Sequence, residues 1–340
     1  MTYRILDSIK TQTENVLKER FAFDILTGFT SPRKFISSKY FYDDKGSELF
    51  SEIMDQEDYY PTRCEREILE NYKTQMSELL TNGYFKLIEL GAGDGRKTQV
   101  LLKELLRQGA EFEYIPVDIS EIAIKELSEK LERELPEIKV RGIVGEYQDA
   151  LREISTDSHG KNAVLFLGSN LGNFSPPASI VFLRAIWQRL NNGDTLIIGF
   201  DLKKDIRVLT KAYNDKSGVT EEFNLNLLER INRELGGNFD RKNFIHHGVY
   251  NPDLGAMESF LISLKEQDIY ITELEKVFHF NEYEPIHIEY SNKYLIKDIE
   301  NLCNETGFES MENFTDKQGY FVDSVWRVKK TVRSPFAEKR

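Results

Sequence analysis

The middle of the chain alternates short apolar runs with amphipathic stretches. The apolar runs, rich in β-branched and aromatic residues, are FKLIEL, EYIPVDI, KVRGIVG, AVLFLG and DTLIIGFD. The stretches between them, such as KTQVLLKELLRQG and EIAIKELSEKLEREL, place apolar residues at the spacing of a helix. Strands that alternate with helices form a mostly parallel sheet with helices on its faces. Residues 85–201 are therefore predicted to form a doubly wound, Rossmann-like α/β core.

The rest of the chain follows different patterns. Residues 1–62 combine helical spacing with a loop rich in glycine and aromatic residues. Residues 203–293 join a helical stretch, FNLNLLERINREL, to the alternating runs MESFLISL and IYITEL. The tail contains an amphipathic stretch that ends at a glycine, YLIKDIENLCNETG, and then YFVDSVWRV, whose alternation is typical of an edge strand.

Length and pattern together predict two domains. A chain of 340 residues is expected to form about two domains, at roughly 150 residues each. We assign residues 63–202 plus 294–340 to the Rossmann-like domain. Residues 1–62 plus 203–293 are assigned to a second, discontinuous α+β domain.

Charge and hydropathy exclude several kinds of partner. The 45 basic and 57 acidic residues give a net charge of −12, which repels phosphate backbones and anionic membranes. The amino terminus lacks the apolar core of a signal peptide, and no segment approaches the ~20 apolar residues of a membrane-spanning helix. We expect a cytoplasmic protein, a monomer, with no nucleic-acid or membrane partner.

Cysteine and histidine positions argue against a metal site. Cys64 and Cys303 lie far apart and outside any CxxC motif, so neither a disulfide framework nor a structural zinc site is expected. His246 and His247 are adjacent, and adjacent residues on a strand face opposite ways. We predict no metal.

A glycine-rich turn follows the first predicted strand of the core. FKLIEL leads directly into GAGDGRKT, in which Gly91, Gly93 and Gly95 form a GxGxG pattern. The dinucleotide pattern GxGxxG would need a glycine where Arg96 stands, and a P-loop would need GKS or GKT. Nicotinamide cofactors are therefore disfavoured. A plain strand-to-helix turn is the alternative interpretation.

Acidic and aromatic residues follow the next two predicted strands. Asp118 ends the second strand, where its carboxylate can accept both hydroxyls of a ribose; a helix N-cap is the alternative role. Glu146 and Tyr147 follow the third strand, and Tyr147 is equally compatible with a core position. The order of strand, GxGxG, helix, strand and Asp resembles the class I methyltransferases that use S-adenosylmethionine. The resemblance implies that the glycine loop contacts the methionine part and that Gly145-Glu146-Tyr147 flanks the adenine.

Four longer segments resemble one particular family within this class. They are similar to the histidine-specific N-alpha-methyltransferases of ergothioneine biosynthesis over nearly the whole chain, which implies trimethylation of histidine to its betaine, hercynine. The segments are KYFYDDKGSELFSEIMDQEDYYPTRCEREIL (39–69), FLGSNLGNFSP (166–176), AYNDKSGVTEEFNLNLLERINREL (212–235) and IEYSNKY (288–294).

The resemblance assigns the site residues. It implies that S-adenosylmethionine is bound by Tyr42, Gly91, Gly93, Lys97, Asp118, Glu146 and Tyr147, all of which except Tyr42 belong to the Rossmann-like domain. It implies an amino-acid site, formed mainly by the second domain, whose residues are Tyr59, Asn173, Tyr213, Ser259, Glu289 and Ser291; Asn173 alone comes from the Rossmann-like domain. Asn173 and Tyr213 are expected to hold the amino and carboxylate end of the substrate, and Glu289 and Ser291 its imidazole. The catalytic residues are expected to be Tyr42, Tyr59 and Asn173.

Each of these residues also has a structural interpretation on its own. A tyrosine in an aromatic-rich loop usually packs on a core, Asn173 suits a turn or cap, and Glu289 suits a solvated strand face. The chain also departs from the family pattern: its loop reads GAGDGRKT where GSGTSEKT is typical, and Ser259 stands where actinobacterial members carry Met. Two alternatives therefore stay open, methylation of another aromatic amino acid or biogenic amine, and a non-catalytic protein that binds an adenosyl ligand.

Overall fold

The computed structural model describes residues 3–6, 14–81, 83–155 and 160–330. Within them the helices are α1 (Glu14–Thr30), α2 (Asp44–Met54), α3 (Tyr60–Leu80), α4 (Thr98–Arg107), α5 (Glu121–Glu134), α6 (Tyr147–Ser155), α7 (Pro176–Arg189), α8 (Ile206–Ala212), α9 (Val219–Leu235) and α10 (Ile296–Glu305). The strands are β1 (Tyr3–Ile5), β2 (Phe85–Leu90), β3 (Phe112–Asp118), β4 (Lys139–Val140), β5 (Gly142–Val144), β6 (Lys161–Phe166), β7 (Thr195–Asp201), β8 (Phe244–Asn251), β9 (Ala256–Ser263), β10 (Gln267–Ile271), β11 (Lys276–Phe280), β12 (Pro285–Asn292), β13 (Phe308–Thr315) and β14 (Phe321–Val328).

A nine-stranded sheet forms the larger part of the molecule. Its order is β1-β5-β3-β2-β6-β7-β14-β13, and β4 also pairs with β3. The first six strands of this order, which end with β7, run parallel to one another. Strand β14 runs antiparallel to both of its neighbours, β7 and β13. The carboxyl ends of β2, β3, β5, β6 and β7 therefore meet along one edge of the sheet.

Helices cover both faces of this sheet. Neighbouring residues of a strand point to opposite faces, and Leu87 and Ile88 of β2 accordingly belong to different apolar cores. The core around Leu87 includes residues of α3, α4 and α5, and the core around Ile88 includes residues of α6, α7 and α10. The predicted doubly wound α/β core is confirmed.

The segment YFVDSVWRV does not lie at an edge of the sheet. It forms β14, which is hydrogen-bonded on both sides, and β13 forms the edge instead. The alternation had suggested one solvated face, but the polar positions Asp323 and Ser324 are fully buried. The prediction of an edge strand was wrong because these polar residues face the interior, where alternation does not report exposure.

A third apolar core joins distant parts of the chain. It combines residues of α1, α2 and α9 with residues of the antiparallel sheet β8-β9-β12 and of the hairpin β10–β11. Residues 14–54 and 219–288 thus pack together, which agrees with a discontinuous second domain, while β1 adds to the large sheet. The exact domain boundaries remain a prediction.

The two sheets meet where the chain passes between them. Leu202 follows β7 and forms a bridge with Tyr294, which follows β12. The Tyr294 amide donates to the Asp201 carbonyl at 2.9 Å. The end of β7 and the end of β12 therefore lie side by side. None of the helices in the described ranges combines the length and apolar character needed to cross a membrane.

Candidate active site

The glycine loop takes a shape that requires glycine. Gly91, Gly93 and Gly95 have φ angles of +76°, +51° and +64°. A Cβ on Gly91 would lie 2.8 Å from the hydroxyl oxygen of Tyr147 and 3.3 Å from the amide nitrogen of Asn170. A Cβ on Gly95 would overlap the side chain of Leu127. The positive φ angles explain the sharp turn, and the contacts explain why no side chain fits at Gly91 or Gly95. A Cβ on Gly93 would meet nothing within 4 Å, so the backbone is open there.

Asp118 organises the loop from the neighbouring strand. Its carboxylate accepts hydrogen bonds from the Gly93 amide at 3.1 Å and from the Ser120 amide at 3.0 Å. Burial raises the pKa of Asp118, and these backbone donors oppose the shift. The N-cap of α5 is Ser120, whose hydroxyl accepts from the Ala123 amide at 3.2 Å. Asp118 is therefore not the helix cap that the sequence allowed.

Tyr147 combines the two roles that the sequence left open. Its ring lies 5.6 Å from the ring of Phe166 and 6.1 Å from that of Phe182, so it packs on the core. Its hydroxyl lies against Gly91. Burial and the charge of Asp118 raise the pKa of Tyr147. Glu146 beside it is exposed and pairs with Arg20 of α1 at 2.9 Å.

Lys97 lies between the glycine loop and the loop after β6. It forms an ion pair with Glu65 of α3, a fully buried residue whose other oxygen accepts from the Gly168 amide at 2.6 Å. Although burial opposes the charge, Glu65 raises the pKa of Lys97. Burial and the charge of Glu65 raise the pKa of the nearby Asp323 well above its usual value. The sequence analysis missed both acids, since nothing in their local pattern marks them.

A cavity at the same edge of the sheet is lined by most of the residues predicted for the amino-acid site and by Tyr42 of the predicted cofactor residues, whereas the other predicted cofactor residues and Ser259 do not line it. Its walls include Gly168, Asn170 and Asp201 from the loops that follow β6 and β7. They also include six of the predicted residues, which are Tyr42, Tyr59, Asn173, Tyr213, Glu289 and Ser291.

One wall of the cavity is aromatic. The ring of Phe50, on α2, lies 5.4 Å from the ring of Tyr42 and 6.2 Å from that of Tyr59. Phe223 of α9 lies 5.8 Å from Phe50 on the same wall. Burial raises the pKa of both tyrosines, so both hydroxyls are neutral at physiological pH. The sequence analysis did not single out Phe50 or Phe223, although both lie inside segments that carried the resemblance.

Asn173 ends a short 3-10 turn, Asn170–Asn173, that follows β6. Ser169 just before the turn has a φ of +59°, which is uncommon for a residue with a side chain. The Asn292 amide of β12 donates to the Gly172 and Phe174 carbonyls, both at 2.7 Å. The small sheet thereby fixes the loop that carries Asn173.

Strand β12 supplies the polar wall opposite. Glu289 and Ser291 are two residues apart and therefore share one face. A β-bulge after His287 sets their register, in which Glu289 pairs with Ser259 of β9. Burial raises the pKa of Glu289 to about 7, while Lys293 and the Ser259 hydroxyl, which donates to Glu289 at 3.5 Å, oppose the shift. Ser259 therefore lies beside Glu289, on the neighbouring strand.

Tyr213 caps α8 and reaches the same wall. Its hydroxyl donates to the Ser291 hydroxyl at 2.6 Å, and the Lys293 ammonium donates to both oxygens, at 3.0 Å and 2.8 Å. Lys293 also pairs with Asp201 at 2.8 Å. The sequence analysis missed Lys293, yet a signal was present: Glu289, Ser291 and Lys293 occupy alternate positions of one segment.

Asp201, in the cavity wall, accepts hydrogen bonds from several buried donors. Its carboxylate accepts from Tyr60 at 2.6 Å and pairs with Lys204 and Lys293. Burial opposes its charge, but the two lysines hold the pKa of Asp201 below its usual value. Burial lowers the pKa of Lys204 to about 8. These groups were not predicted, because only the crossing between the sheets brings β7 and β12 together.

Histidines do not build a metal site in the described part of the chain. His246 contacts the carbonyl oxygen of Tyr213 through its Nε2 at 2.9 Å. Among the residues with defined positions, no group of three or more His, Cys, Asp or Glu side chains is arranged to hold a metal ion.

Known proteins are similar to this chain over most of its length. The family model described as histidine-specific methyltransferase, SAM-dependent, matches residues 21–328. Histidine N-alpha-methyltransferase of Mycolicibacterium smegmatis is 34% identical over 304 residues, which are 88% of this chain and 92% of that protein. The enzyme of the same name from Mycobacterium tuberculosis is 32% identical over 298 residues, with the same two coverages. L-tryptophan methyltransferase of Psilocybe serbica is 28% identical over 324 residues, 87% of this chain and 90% of that protein.

These matches confirm the resemblance found in the sequence, the enzymatic activity it implied and S-adenosylmethionine as cofactor. The sheet order, with its antiparallel strand β14, agrees with the predicted fold class. The chain belongs to the family of histidine-specific, S-adenosylmethionine-dependent methyltransferases.

Proposed function

We propose that this enzyme methylates the α-amino nitrogen of L-histidine three times and makes hercynine, as in ergothioneine biosynthesis. The observation that carries the proposal is the pair Glu289 and Ser291 on one wall of the cavity. A neutral imidazole has one N–H donor and one acceptor nitrogen, which a carboxylate and a hydroxyl can match. A ring without nitrogen would offer neither a donor to Glu289 nor an acceptor to Ser291. The family match supports the same substrate.

The residues at the carboxyl edge of the large sheet fit the cofactor. Gly93 leaves open the space that a Cβ would take, and Asp118 offers a half-buried carboxylate suited to ribose hydroxyls. Lys97 offers a cation suited to the methionine carboxylate, while Glu146 and Tyr147 stand where the adenine is expected. When bound, S-adenosylmethionine supplies a methyl group on a positively charged sulfur.

The amino-acid end of histidine is assigned to the part of the cavity that Asn173, Tyr213 and Tyr59 line. Asn173 and Tyr213 would hold the amino and carboxylate groups, and Tyr59 would complete this end of the site. Orientation is the main task of these residues, because a displacement at carbon needs the nitrogen lone pair in line with the bond that breaks.

The site also has to accommodate protons and charge. The amine reacts only when neutral, and a positive sulfur nearby disfavours its ammonium form. Water, or a tyrosine hydroxyl that passes its own proton on to water, would relay the proton away from the amine. Each methylation brings the nitrogen closer to a permanent positive charge, and the faces of Tyr42, Phe50 and Tyr59 can stabilise such a cation.

Product analysis tests the proposal directly. The purified protein is incubated with S-adenosylmethionine and an equimolar mixture of histidine, tryptophan, tyrosine and histamine, and the products are identified by mass spectrometry. We expect histidine alone to gain three methyl groups. Methylation of another amine in place of histidine would contradict the substrate assignment and leave the cofactor assignment standing.

Two substitutions test the assigned residues in the same assay. Asn173→Ala and Tyr213→Phe are each expected to lower kcat/KM for histidine at least tenfold, since each removes a contact that aligns the substrate. Tyr283→Phe is the matched control, because Tyr283 is 68% exposed. If Asn173→Ala and Tyr213→Phe leave both turnover and affinity unchanged, the site assignment is wrong.

A second candidate substrate class is another aromatic amino acid or biogenic amine. The observation that favours it is Ser259, a small residue where actinobacterial members of the family carry Met. The similarity to a fungal tryptophan methyltransferase points the same way. The amine mixture separates the two candidates in one experiment.

We further propose that the enzyme is a cytoplasmic monomer that works on small molecules without a nucleic-acid or membrane partner. The net charge of −12 supports the last point. Light scattering of the purified protein measures the oligomeric state, and a mass of twice 39.6 kDa would contradict a monomer.

A further inference from the structure

Lys293 lies directly behind the wall that the imidazole is proposed to meet. Its side chain is fully buried, with 0% exposure. Its ammonium donates to Asp201, to the Ser291 hydroxyl and to the Tyr213 hydroxyl, at 2.8, 2.8 and 3.0 Å. An ammonium has three N–H donors and no acceptor, so all three donors of Lys293 are used.

These contacts determine which way the Ser291 hydroxyl can act. A serine oxygen has two acceptor lone pairs and one O–H donor. The oxygen of Ser291 accepts from Lys293 at 2.8 Å and from Tyr213 at 2.6 Å, so both lone pairs are occupied. Its own hydrogen is left for the cavity. Ser291 therefore meets a ligand as a donor.

Glu289 complements this donor. The residue lies two positions earlier on the same strand face, and as a carboxylate it is only an acceptor. One donor and one acceptor on the same wall match a neutral imidazole in a single orientation. Without Lys293 the Ser291 hydroxyl could rotate and accept, and the wall would lose this polarity.

Asp201 holds Lys293 in place. It ends β7 beside the end of β12, and its carboxylate is also bound by Tyr60 and Lys204. Although burial opposes its charge, Asp201 raises the pKa of Lys293, which keeps the ammonium protonated. Separating the two would leave the buried ammonium of Lys293 without a counter-ion, so the pair is expected to stay together.

We propose that Lys293 is a positioning residue for ring recognition: it makes Ser291 a hydrogen-bond donor to the substrate, and Asp201 anchors it in that role. The inference rests on the proposed histidine site and names the group that gives the site its polarity. It differs from the assignment of Glu289 and Ser291 because Lys293 touches neither ring nitrogen.

The test compares histidine with β-(2-thienyl)alanine, an amino acid whose ring is of similar size and has no nitrogen. Wild-type enzyme and Lys293→Met are assayed for kcat/KM on both substrates, and the affinity for S-adenosylhomocysteine is measured by calorimetry. We expect Lys293→Met to lower the preference for histidine at least tenfold, with cofactor-product affinity within twofold of wild type. Lys329→Met, on the surface, is the matched control.

Two further variants keep the test decisive. Lys293→Gln retains N–H donors without the charge and is expected to keep most of the preference for histidine. If Lys293→Met does not fold, Lys293→Leu, which also lacks donors, takes its place with the same expected loss of preference. In a Ser291→Ala background, Lys293→Met is expected to change the preference less than twofold, because its effect passes through Ser291.

Several results would overturn the inference. One is an unchanged substrate preference in Lys293→Met. Another is an equal loss on both substrates together with weaker binding of S-adenosylhomocysteine, which would indicate a merely structural lysine. A wild-type enzyme that does not methylate histidine would instead contradict the proposed function, and this result is visible before any variant is made.

Discussion

The two halves of the active site are built by different means. Apart from Tyr42, the cofactor half comes from three short segments in one stretch of the chain, residues 89–147, and the backbone supplies much of it: glycines with positive φ and amides bound by Asp118. The amino-acid half gathers side chains from residues 50–59, 169–173, 201–213 and 259–293. Buried ions and hydroxyls supply most of its polarity.

This difference follows from what each half is proposed to recognise. An extended cofactor offers many groups, so a loop and one carboxylate suffice to hold it. A small ring offers two nitrogens, and discrimination depends on placing one donor and one acceptor without error. Single substitutions should therefore act differently in the two halves: large losses of affinity at Asp118, and losses of selectivity around Glu289.

Asp118→Ala is expected to have the largest effect. The substitution removes the carboxylate assigned to the ribose and also the acceptor of the Gly93 and Ser120 amides. Hydrogen bonds to charged groups contribute about 1.5–3 kcal/mol each. We expect the affinity for S-adenosylhomocysteine to fall at least 100-fold, as measured by calorimetry.

Asp253→Ala serves as the control, because Asp253 lies in the exposed turn between β8 and β9. Asp118→Asn is expected to be intermediate, since its amide oxygen still accepts from the loop. An affinity within threefold of wild type in Asp118→Ala would show that the cofactor half relies on its backbone alone.

Glu289→Gln is expected to have a smaller, pH-dependent effect. Burial raises the pKa of Glu289 to about 7. Well below pH 7 the protonated acid and the glutamine are both neutral, so the two enzymes should have similar kcat/KM for histidine. Above pH 7 only the wild type carries a carboxylate, and a charge-assisted bond to the ring N–H favours it.

The ratio of wild-type kcat/KM to that of Glu289→Gln reports the ionisation of Glu289, because the titration of the substrate histidine affects both enzymes equally. We expect the ratio to rise through about pH 7 and to reach about tenfold at pH 8. Glu258→Gln is the control, since Glu258 faces the opposite side of the same small sheet. A ratio that does not change between pH 5.5 and pH 8 would contradict a carboxylate contact with the ring.

Local sequence patterns pointed to the cofactor half more directly than to the amino-acid half. The strand FKLIEL, the turn at Gly91 and the acid at Asp118 follow one another along the chain, and the structure has β2, the turn and the end of β3 in that order. Glu289 and Ser291 came only from a family resemblance, because a charged residue on an alternating strand looks solvated. The structure shows why that interpretation fails: the strand face is the wall of a cavity.

What the sequence could not supply are partners made by distant segments. Lys293 follows Ser291 at the same spacing, yet its counter-ion Asp201 is 92 residues away and meets it only because two sheets join there. Glu65 and Asp323 are buried polar residues of the same kind. In YFVDSVWRV, the alternating polar side chains are buried, but their pattern is the one expected of a solvated strand face. The prediction of an edge strand was therefore wrong.

Ser259→Ala is expected to have the smallest effect and to refine the comparison most. The Ser259 hydroxyl donates to Glu289 at 3.5 Å, a long and therefore weak hydrogen bond. Because this bond lowers the pKa of Glu289, its removal should raise that pKa further. The ratio to measure is kcat/KM of Ser259→Ala divided by kcat/KM of the double variant that also carries Glu289→Gln. The pH at which this ratio is half-way through its rise should be about half a unit higher than in the wild-type background, which corresponds to about 0.7 kcal/mol.

At pH 7 this shift lowers kcat/KM for histidine by about twofold, since less of the enzyme carries the carboxylate. Ser263→Ala on the same strand is the control, because its hydroxyl donates to the Lys265 carbonyl and not to Glu289. Ser259→Met should move the midpoint in the same direction while adding an apolar surface beside the carboxyl. A midpoint that stays in place, or moves to lower pH, would mean that Ser259 does not act through Glu289, and the polarity of the ring site would then depend on Lys293 and Ser291 alone.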